Sequence, residues 1–232
     1  MQAIPLYVGM DSREQAGLHV FIESVWKHTS LPVDLKVLTP KIAEQLRIGT
    51  DGTNAFSTLR FAVPELQNYA GWAIFMDGAD MLCRADLAEL WHLCTGNVAV
   101  KVVKHQEYTP KEPKKYLGTT LEATNAAYPR KNWSSVVLWN CSHWAHFRSR
   151  DKLLSGDGKY LHRFSWLMDD EIGEIPAAWN HLIGEAEPNP KAKLAHFTNG
   201  IPGFEHYRHS EHAVEWQMTL KDAARGIQYL GR

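Results

Sequence analysis

The sequence predicts one α/β domain, with a mainly parallel central sheet and helices on both of its faces. Three observations predict it. Short apolar runs alternate with helical patterns through the first third of the chain, the order that joins parallel strands by crossover helices. The 232 residues include 44% apolar and 22% charged side chains, the ordinary balance of a folded domain, and a chain this long buries roughly 70% of its unfolded surface. No internal repeat and no long linker divides the sequence, so residues 1–232 read as a single domain.

The elements follow in order. Ile4–Gly9 is a run of strand formers that meets a turn at Gly9-Met10-Asp11-Ser12. Asp11 or Ser12 caps the next helix, in which Leu18, Phe21, Ile22, Val25 and Trp26 recur at helical spacing. Pro32 opens a second strand, Val33–Leu38, which Thr39-Pro40 breaks. A second helix is expected over residues 57–69, bent or divided by Pro64. Trp72–Met76 is a third strand, residues 97–103 a fourth and residues 135–139 a fifth. Residues 142–166 read as helix in pieces, broken by Gly156 and Gly158. A short apolar run at 193–197 and an amphipathic helix at 211–225 complete the chain.

Composition excludes several classes of function. Net charge is −1, so no overall field draws the molecule onto nucleic acid or an acidic membrane. The three cysteines, Cys83, Cys94 and Cys141, are odd in number and lack CxxC spacing, which fits reduced thiols and a cytoplasmic location. The opening residues have no basic n-region and no long apolar run, so no signal peptide is expected. No stretch of about 18 apolar residues occurs, so integral membrane association is not expected either. The mildly basic C-terminus, residues 221–232, reads as a helix end. Neither a P-loop nor GxGxxG is present, which leaves ATP or NAD chemistry unsupported.

One segment departs from this balance. Residues 101–131 hold seven basic side chains (Lys101, Lys104, Lys111, Lys114, Lys115, Arg130, Lys131) against Glu107, Glu112 and Glu122. The segment is net +4, and the remainder of the chain is −5. Residues 104–131 lack periodicity and read either as a basic loop over a site or as a solvated hairpin.

The most informative stretch is Trp72-Ala-Ile-Phe-Met-Asp77-Gly78-Ala79-Asp80, which sets two carboxylates at the carboxyl end of a buried strand. Ligands of open α/β sheets bind at that edge. Gly78 lets the chain turn, so that both carboxylates can converge on one cation, and hard oxygen ligands suit Mg²⁺ or Mn²⁺. Asp-Gly is equally a common turn pair and Asp80 a possible cap, so the residues alone leave both readings open.

Residues 73–91 resemble the metal-binding DxD segment of nucleotide-sugar glycosyltransferases with the GT-A (Rossmann-like) fold, in particular glycosyltransferase family 8, the group of glycogenin and the bacterial lipooligosaccharide galactosyltransferases. Other segments match in the same order. Residues 4–14 resemble the family's first strand and nucleoside-binding turn, and 57–66 its helix before the DxD strand. Residues 134–140 resemble the sugar-side strand, Asp169-Asp170-Glu171 with Ile-Pro-Ala-Ala-Trp-Asn the later acidic motif, and His196-Phe-Thr-Asn-Gly the closing histidine motif.

The resemblance implies a UDP-sugar-dependent glycosyltransferase that retains anomeric configuration. It implies Mn²⁺ or Mg²⁺ held by Asp77, Asp80 and His196, and a donor held by Val8, Gly9, Asp11, Arg60, Asp77, Trp133 and Ser134. Asp169 and Asp170 would lie across the sugar from the metal, and Arg60 would contact the donor's phosphate or sugar. The acceptor would be a saccharide or other hydroxyl compound; a modified DNA base is a minor option resting on the basic loop. Among the tryptophans near these motifs, Trp133 is expected to face the site. Each residue also has a plainer reading: His196 as a core histidine, Arg60 as a surface ion pair, Asp169-Asp170 as an acidic helix start.

Two departures stand out. The family spaces its two aspartates by one residue, whereas Gly78 and Ala79 make two here. Its phosphate-binding lysine, six residues after the histidine, is Pro202 here, so Arg208 or a lysine of the 101–131 segment would have to neutralise the diphosphate. A zinc hydrolase built on His196, His206, His209 and His212 is a different class, but His209-Ser-Glu-His212 is not HExxH. A third class is a nucleotide-sugar or carbohydrate binder of the same fold that has lost turnover.

Overall fold

A computed structural model describes residues 3–49, 56–107 and 109–228 of the chain. Tyr108, within the expected basic loop, and the last four residues of the basic C-terminus lie outside the described residues.

Strand β1 (Ile4–Gly9) leads into a 3₁₀ turn at Ser12–Glu14, capped by the Asp11 side chain, which accepts from the Arg13 N–H. Helix α1 (Gln15–His28) and strand β2 (Val33–Leu38) follow. The Thr39-Pro40 break is also a helix start: Pro40 opens α2 (Pro40–Leu46), where its missing N–H has no intrahelical partner to lose. The expected helix at 57–69 is divided into α3 (Phe56–Leu59), a 3₁₀ turn (Arg60–Ala62) and α4 (Val63–Leu66). Pro64 stands in the first turn of the last piece, where proline is tolerated.

Next come β3 (Trp72–Met76), β4 (Met81–Cys83), α5 (Leu87–Trp91) and β5 (Val100–Val102), the last shorter than the expected 97–103. The basic loop contains a short hairpin, β6 (Lys114–Lys115) with β7 (Ala123–Thr124). Strand β8 (Val136–Asn140) follows a 3₁₀ turn at Trp133–Ser135. The helical region after it is a 3₁₀ stretch (Trp144–Ser149), α6 (Arg150–Ser155) and α7 (Gly158–His162), with Gly156 ending α6. Strands β9 (Ile172–Glu174), β10 (His181–Leu182) and β11 (Leu194–His196) precede the long α8 (Ala213–Gln228).

The main sheet has the order β2-β1-β3-β8-β5-β9. It is mainly parallel: only β8 runs against its neighbours, β3 and β5. Alternate residues feed two cores, as a sheet covered on both faces requires. Tyr7, Phe75, Val137 and Trp139 pack with Phe61, Phe164 and Trp166 on one face; Leu6, Val8, Ile74, Met76 and Leu138 pack with Phe21 and Val25 of α1 on the other. A smaller sheet, β10-β11-β4, is covered through Leu82, Phe197 and Trp216 of α8.

The reversal of β8 has a direct effect on the site. Strands β1, β3 and β5 end at one edge of the sheet, and β8 starts there. The 103–135 connection joins neighbouring antiparallel strands, so it begins and ends at that edge.

Candidate functional site

Asp77 follows β3 directly, and its N–H donates to the Ser135 carbonyl at 3.0 Å. The chain then turns tightly: Ala79 N–H donates to Asp77 O and Met81 N–H to Gly78 O. Gly78 has φ +79°, and a Cβ there would stand 2.2 Å from Val8 Cγ1, so both conformation and space demand glycine. Gly17 of α1 packs against the same turn; a Cβ at that position would meet the Ala79 carbonyl oxygen at 1.8 Å. Strand β4 leaves the turn and pairs with β11, setting Met81 opposite His196, while Phe197 N–H donates to Asp80 O.

This pairing brings Asp77, Asp80 and His196 together, with one ligand atom from each within 4.8 Å of the others. Asp77 Oδ1 and Asp80 Oδ1 are buried and accept no hydrogen bond. Arg60 Nη1 lies 2.5 Å from Asp77 Oδ1, but it gives its hydrogen bond to the Ser134 carbonyl at 3.0 Å, so the contact with Asp77 is an ion pair without a directed bond. Burial pushes the Asp77 carboxyl up, against the opposing charge of Arg60. Asp80 is equally desolvated, yet the charge and hydrogen bond of His196 pull it below the ordinary range. Two buried carboxylates with unmet oxygens, joined by an imidazole, form a donor set that fits a hard divalent ion such as Mn²⁺ or Mg²⁺.

His196 is oriented from behind. Its Nδ1 lies 2.8 Å from Asn180 Oδ1, and its Nε2 lies 3.1 Å from Asp80 Oδ2. Asn180 Nδ2 is committed to the Asn132 carbonyl at 3.1 Å and to His105 Nε2 at 3.0 Å. The Asn180 oxygen therefore accepts and His196 Nδ1 carries a proton, which turns Nε2 toward the Asp80 carboxylate. Burial lowers His105 to about 4, which keeps its ring neutral and able to accept from Asn180.

These groups open into a cavity of about 660 Å³, also lined by Asp11, Arg13, Glu14, Lys115, Tyr116 and Ser134. Asp11 is paired with Arg13. Glu14 is buried, its Oε1 accepts no hydrogen bond, and burial followed by the Asp80 charge raises it to about 8. A second cavity of about 460 Å³ is lined by His105, Glu107, Arg130, Trp133 and Asp169.

No family model matches the chain. It is 40% identical over 236 residues to Protein CDI of Arabidopsis thaliana, covering 94% of this chain and 86% of that protein. The chain belongs to the Protein CDI family. Among solved structures, it resembles the bifunctional glycosyltransferase WbbM (TM-score 0.66, 14% identity, 94% of this chain and 49% of that one). It also resembles the glycosyltransferase GlyE of Streptococcus pneumoniae (TM-score 0.61, 14%, 94% and 60%) and the galactosyltransferase LgtC in complex with donor and acceptor sugar analogs (TM-score 0.55, 12%, 94% and 96%). The chain spans about half the length of WbbM and 60% of GlyE. The fold of this CDI-family chain is that of the GT-A glycosyltransferases.

In this CDI-family chain the residues expected at the site divide into three groups. Asp77, Asp80 and His196 converge, and Arg60, Asp11 and Ser134 line the same cavity. Arg60 is a buried partner of Asp77 and Ser134 rather than a surface ion pair. Val8 and Gly9 lie beneath, packed against Gly78, Phe56 and Asp77 rather than lining the cavity.

The structure does not bring Trp133, Asp169 and Asp170 into the main cavity. Trp133 donates its indole N–H to the His105 carbonyl and lines the second cavity. Asp169 lines that second cavity, exposed and paired with Arg130, and Asp170 is exposed on the same 3₁₀ turn. Pro202 is buried, and Arg208 is exposed and paired with Glu205, away from the cavity lining. The histidines of the alternative zinc reading are dispersed: His212 is near Glu211, while only His196 joins the acidic cluster.

Sequence reasoning missed Glu14, His105 and Asn180 as individual site residues, and offered Lys115 only as one of the basic side chains of 101–131. Glu14 and Asn180 stand within segments that carry the family resemblance, which is the one signal that was available.

Proposed function

We propose that this chain is a metal-dependent glycosyltransferase that moves a sugar from a UDP-sugar donor to a hydroxyl acceptor, most simply a saccharide, with retention of configuration as in family 8. The observation that supports this most is the pair of orphaned carboxylate oxygens beside a pre-oriented imidazole, at the strand edge where GT-A folds bind ligands. A divalent ion at Asp77, Asp80 and His196 would supply Lewis-acid stabilisation of the departing diphosphate. Arg60 holds Asp77 in place through their ion pair, and Asn180 orients the His196 ring. The loop at 104–131 roofs the cavity through Lys115, Tyr116, Ala126 and Tyr128 and restricts water there.

The chain is proposed to act as one domain in the cytoplasm. Its three cysteines are free, with each thiol raised to about 12 by burial. Among the described residues no helix is long and apolar enough to cross a membrane.

The test is a panel of nucleotide sugars scored for nucleotide release, with and without Mn²⁺. Mn²⁺-dependent release from a UDP-sugar is expected, and thermal shift with UDP should exceed that with GDP, CDP or ADP. Full activity in EDTA, or a larger shift with GDP or ADP, overturns the reading. The second reading, a binder without turnover, is favoured by the Arg60–Asp77 ion pair, which competes with a cation for Asp77 Oδ1. UDP binding without any donor hydrolysis would select it.

A further inference from the structure

The main cavity is rich in acid: Asp11, Glu14, Asp77 and Asp80 all line it. Two of its cations are already committed, Arg13 to Asp11 and Arg60 to Asp77. A divalent ion held by two carboxylates is itself neutralised by them. A diphosphate joining that ion therefore brings negative charge that a further cation near the metal ligands would meet.

Lys115 answers that description. Its neighbours on the basic segment are spent elsewhere: Lys111 on Glu187, Lys114 on Glu122 and Arg130 on Asp169. Lys115 lines the main cavity, and among the described residues no carboxylate lies within ion-pair distance of its ammonium. It shares the lining of that cavity with Asp80, His196 and Glu14. Lys159 and Arg163 also line the cavity, from α7 and the residue just after it.

The backbone is built to hold Lys115 there. Lys115 pairs with Ala123 across the hairpin, and the Tyr116 N–H donates to the Asn199 carbonyl at 2.6 Å, three residues after His196. Tyr116 itself has φ +57°, a left-handed conformation that is unfavourable for a bulky residue and persists only where surrounding contacts impose it. Those contacts include Asn125 Nδ2, which donates to Asn199 Oδ1 at 3.1 Å, and Asn199 Nδ2, which donates to Glu185 Oε1 at 2.9 Å.

We propose that Lys115, presented by the β6–β7 hairpin, is the group that holds the terminal phosphate of a nucleoside diphosphate bound through Asp77, Asp80 and His196. This rests on the functional reading above and assigns its anion contact to the roof of the site. The hairpin thereby serves the donor.

The experiment is isothermal titration of the full chain with Mn²⁺ alone, with UDP plus Mn²⁺ and with UMP plus Mn²⁺, for wild type, Lys115→Ala, Lys115→Arg and Lys114→Ala. Wild type is expected to bind UDP more tightly than UMP. Lys115→Ala should weaken UDP binding about 10- to 100-fold, the loss of one charge-assisted contact, and change UMP binding less than about twofold. Mn²⁺ alone should bind the alanine variant as well as or better than wild type, because a repelling charge is gone. Lys115→Arg should retain most UDP affinity, and Lys114→Ala all of it. An unchanged UDP affinity in Lys115→Ala overturns the proposal alone, as does an equal loss for UDP and UMP or an equal loss in Lys114→Ala. A wild-type protein that binds no nucleoside diphosphate with Mn²⁺ overturns the functional reading and this assignment with it.

Discussion

Two acidic segments attract notice in the sequence, Asp77-Gly-Ala-Asp80 and Asp169-Asp170-Glu171, and the fold treats them in opposite ways. The first is driven between β3 and β4, beneath the hairpin, and its inner oxygens are left without donors. The second opens an edge strand: Asp169 is 92% exposed and paired with Arg130, while Glu171 accepts from Arg148 and the Met168 N–H. Equal charge thus has unequal meaning. Carboxylates gather into a candidate ligand set where tertiary pairing buries them and leaves oxygens short of hydrogen-bond donors, and form a solvated turn where partners are at hand.

Substitutions can break this contrast, beginning with the largest effect. Asp80→Ala should abolish Mn²⁺-dependent nucleotide release, and Asp77→Asn should reduce it more than about tenfold, as loss of a metal ligand does. Wild-type rates in Asp80→Ala would erase the distinction between the two segments. Asn180→Ala releases the His196 ring, and Mn²⁺ titration should show affinity weakened by about 10- to 100-fold with all three ligands still present. Gly78→Ala should cost at least about 1–2 kcal/mol in chemical denaturation, from the left-handed conformation and the contact with Val8.

Glu14 sharpens the contrast through pH. In the metal-free protein its folded pKa of about 8 stands above the ordinary 4.5. The folded state then holds a proton that the unfolded state releases, so stability falls as pH rises between these values and the full cost is present above about 8. Glu14→Gln should melt with wild type near pH 4 and progressively above it toward pH 9; parallel curves would show that Glu14 ionises without penalty. The smallest effect belongs to the exposed segment. Asp169→Asn should change stability by less than about 0.5 kcal/mol and leave Mn²⁺ affinity unchanged. A loss of metal binding there would show that the second segment reaches the site after all.

Much of the fold is legible because both faces of the sheet are covered. Ile4–Gly9, Val33–Leu38 and Trp72–Met76 stand out as apolar runs and form strands with those bounds. Short elements are not legible. Strand β9 is three residues of Ile-Gly-Glu, and its pairing with β5 is fixed by tertiary contact rather than by pattern. Pro40 is readable as a break and, equally, as a helix start. At the site, the spacing of Asp77, Gly78 and Asp80 advertises a turn with two carboxylates, and the family resemblance adds His196. Asn180 lies within a resembling segment and Lys115 within the basic one, but their roles are not legible there, because an amide orienting a histidine and a lysine without an acid partner exist only once distant segments meet.

The reversed strand β8 makes the roof of the cavity a replaceable part. Both ends of the 103–135 connection are anchored in adjacent strands at one edge, so residues added or removed between them alter what stands above the carboxylates without moving the strands that carry them. Changes in the length and charge of this one connection can therefore reshape the roof while Asp77 and Asp80 stay where β3 and β4 hold them. A chimaera that exchanges the connection alone keeps Asp77, Asp80 and His196 in place while replacing the roof, Lys115 included.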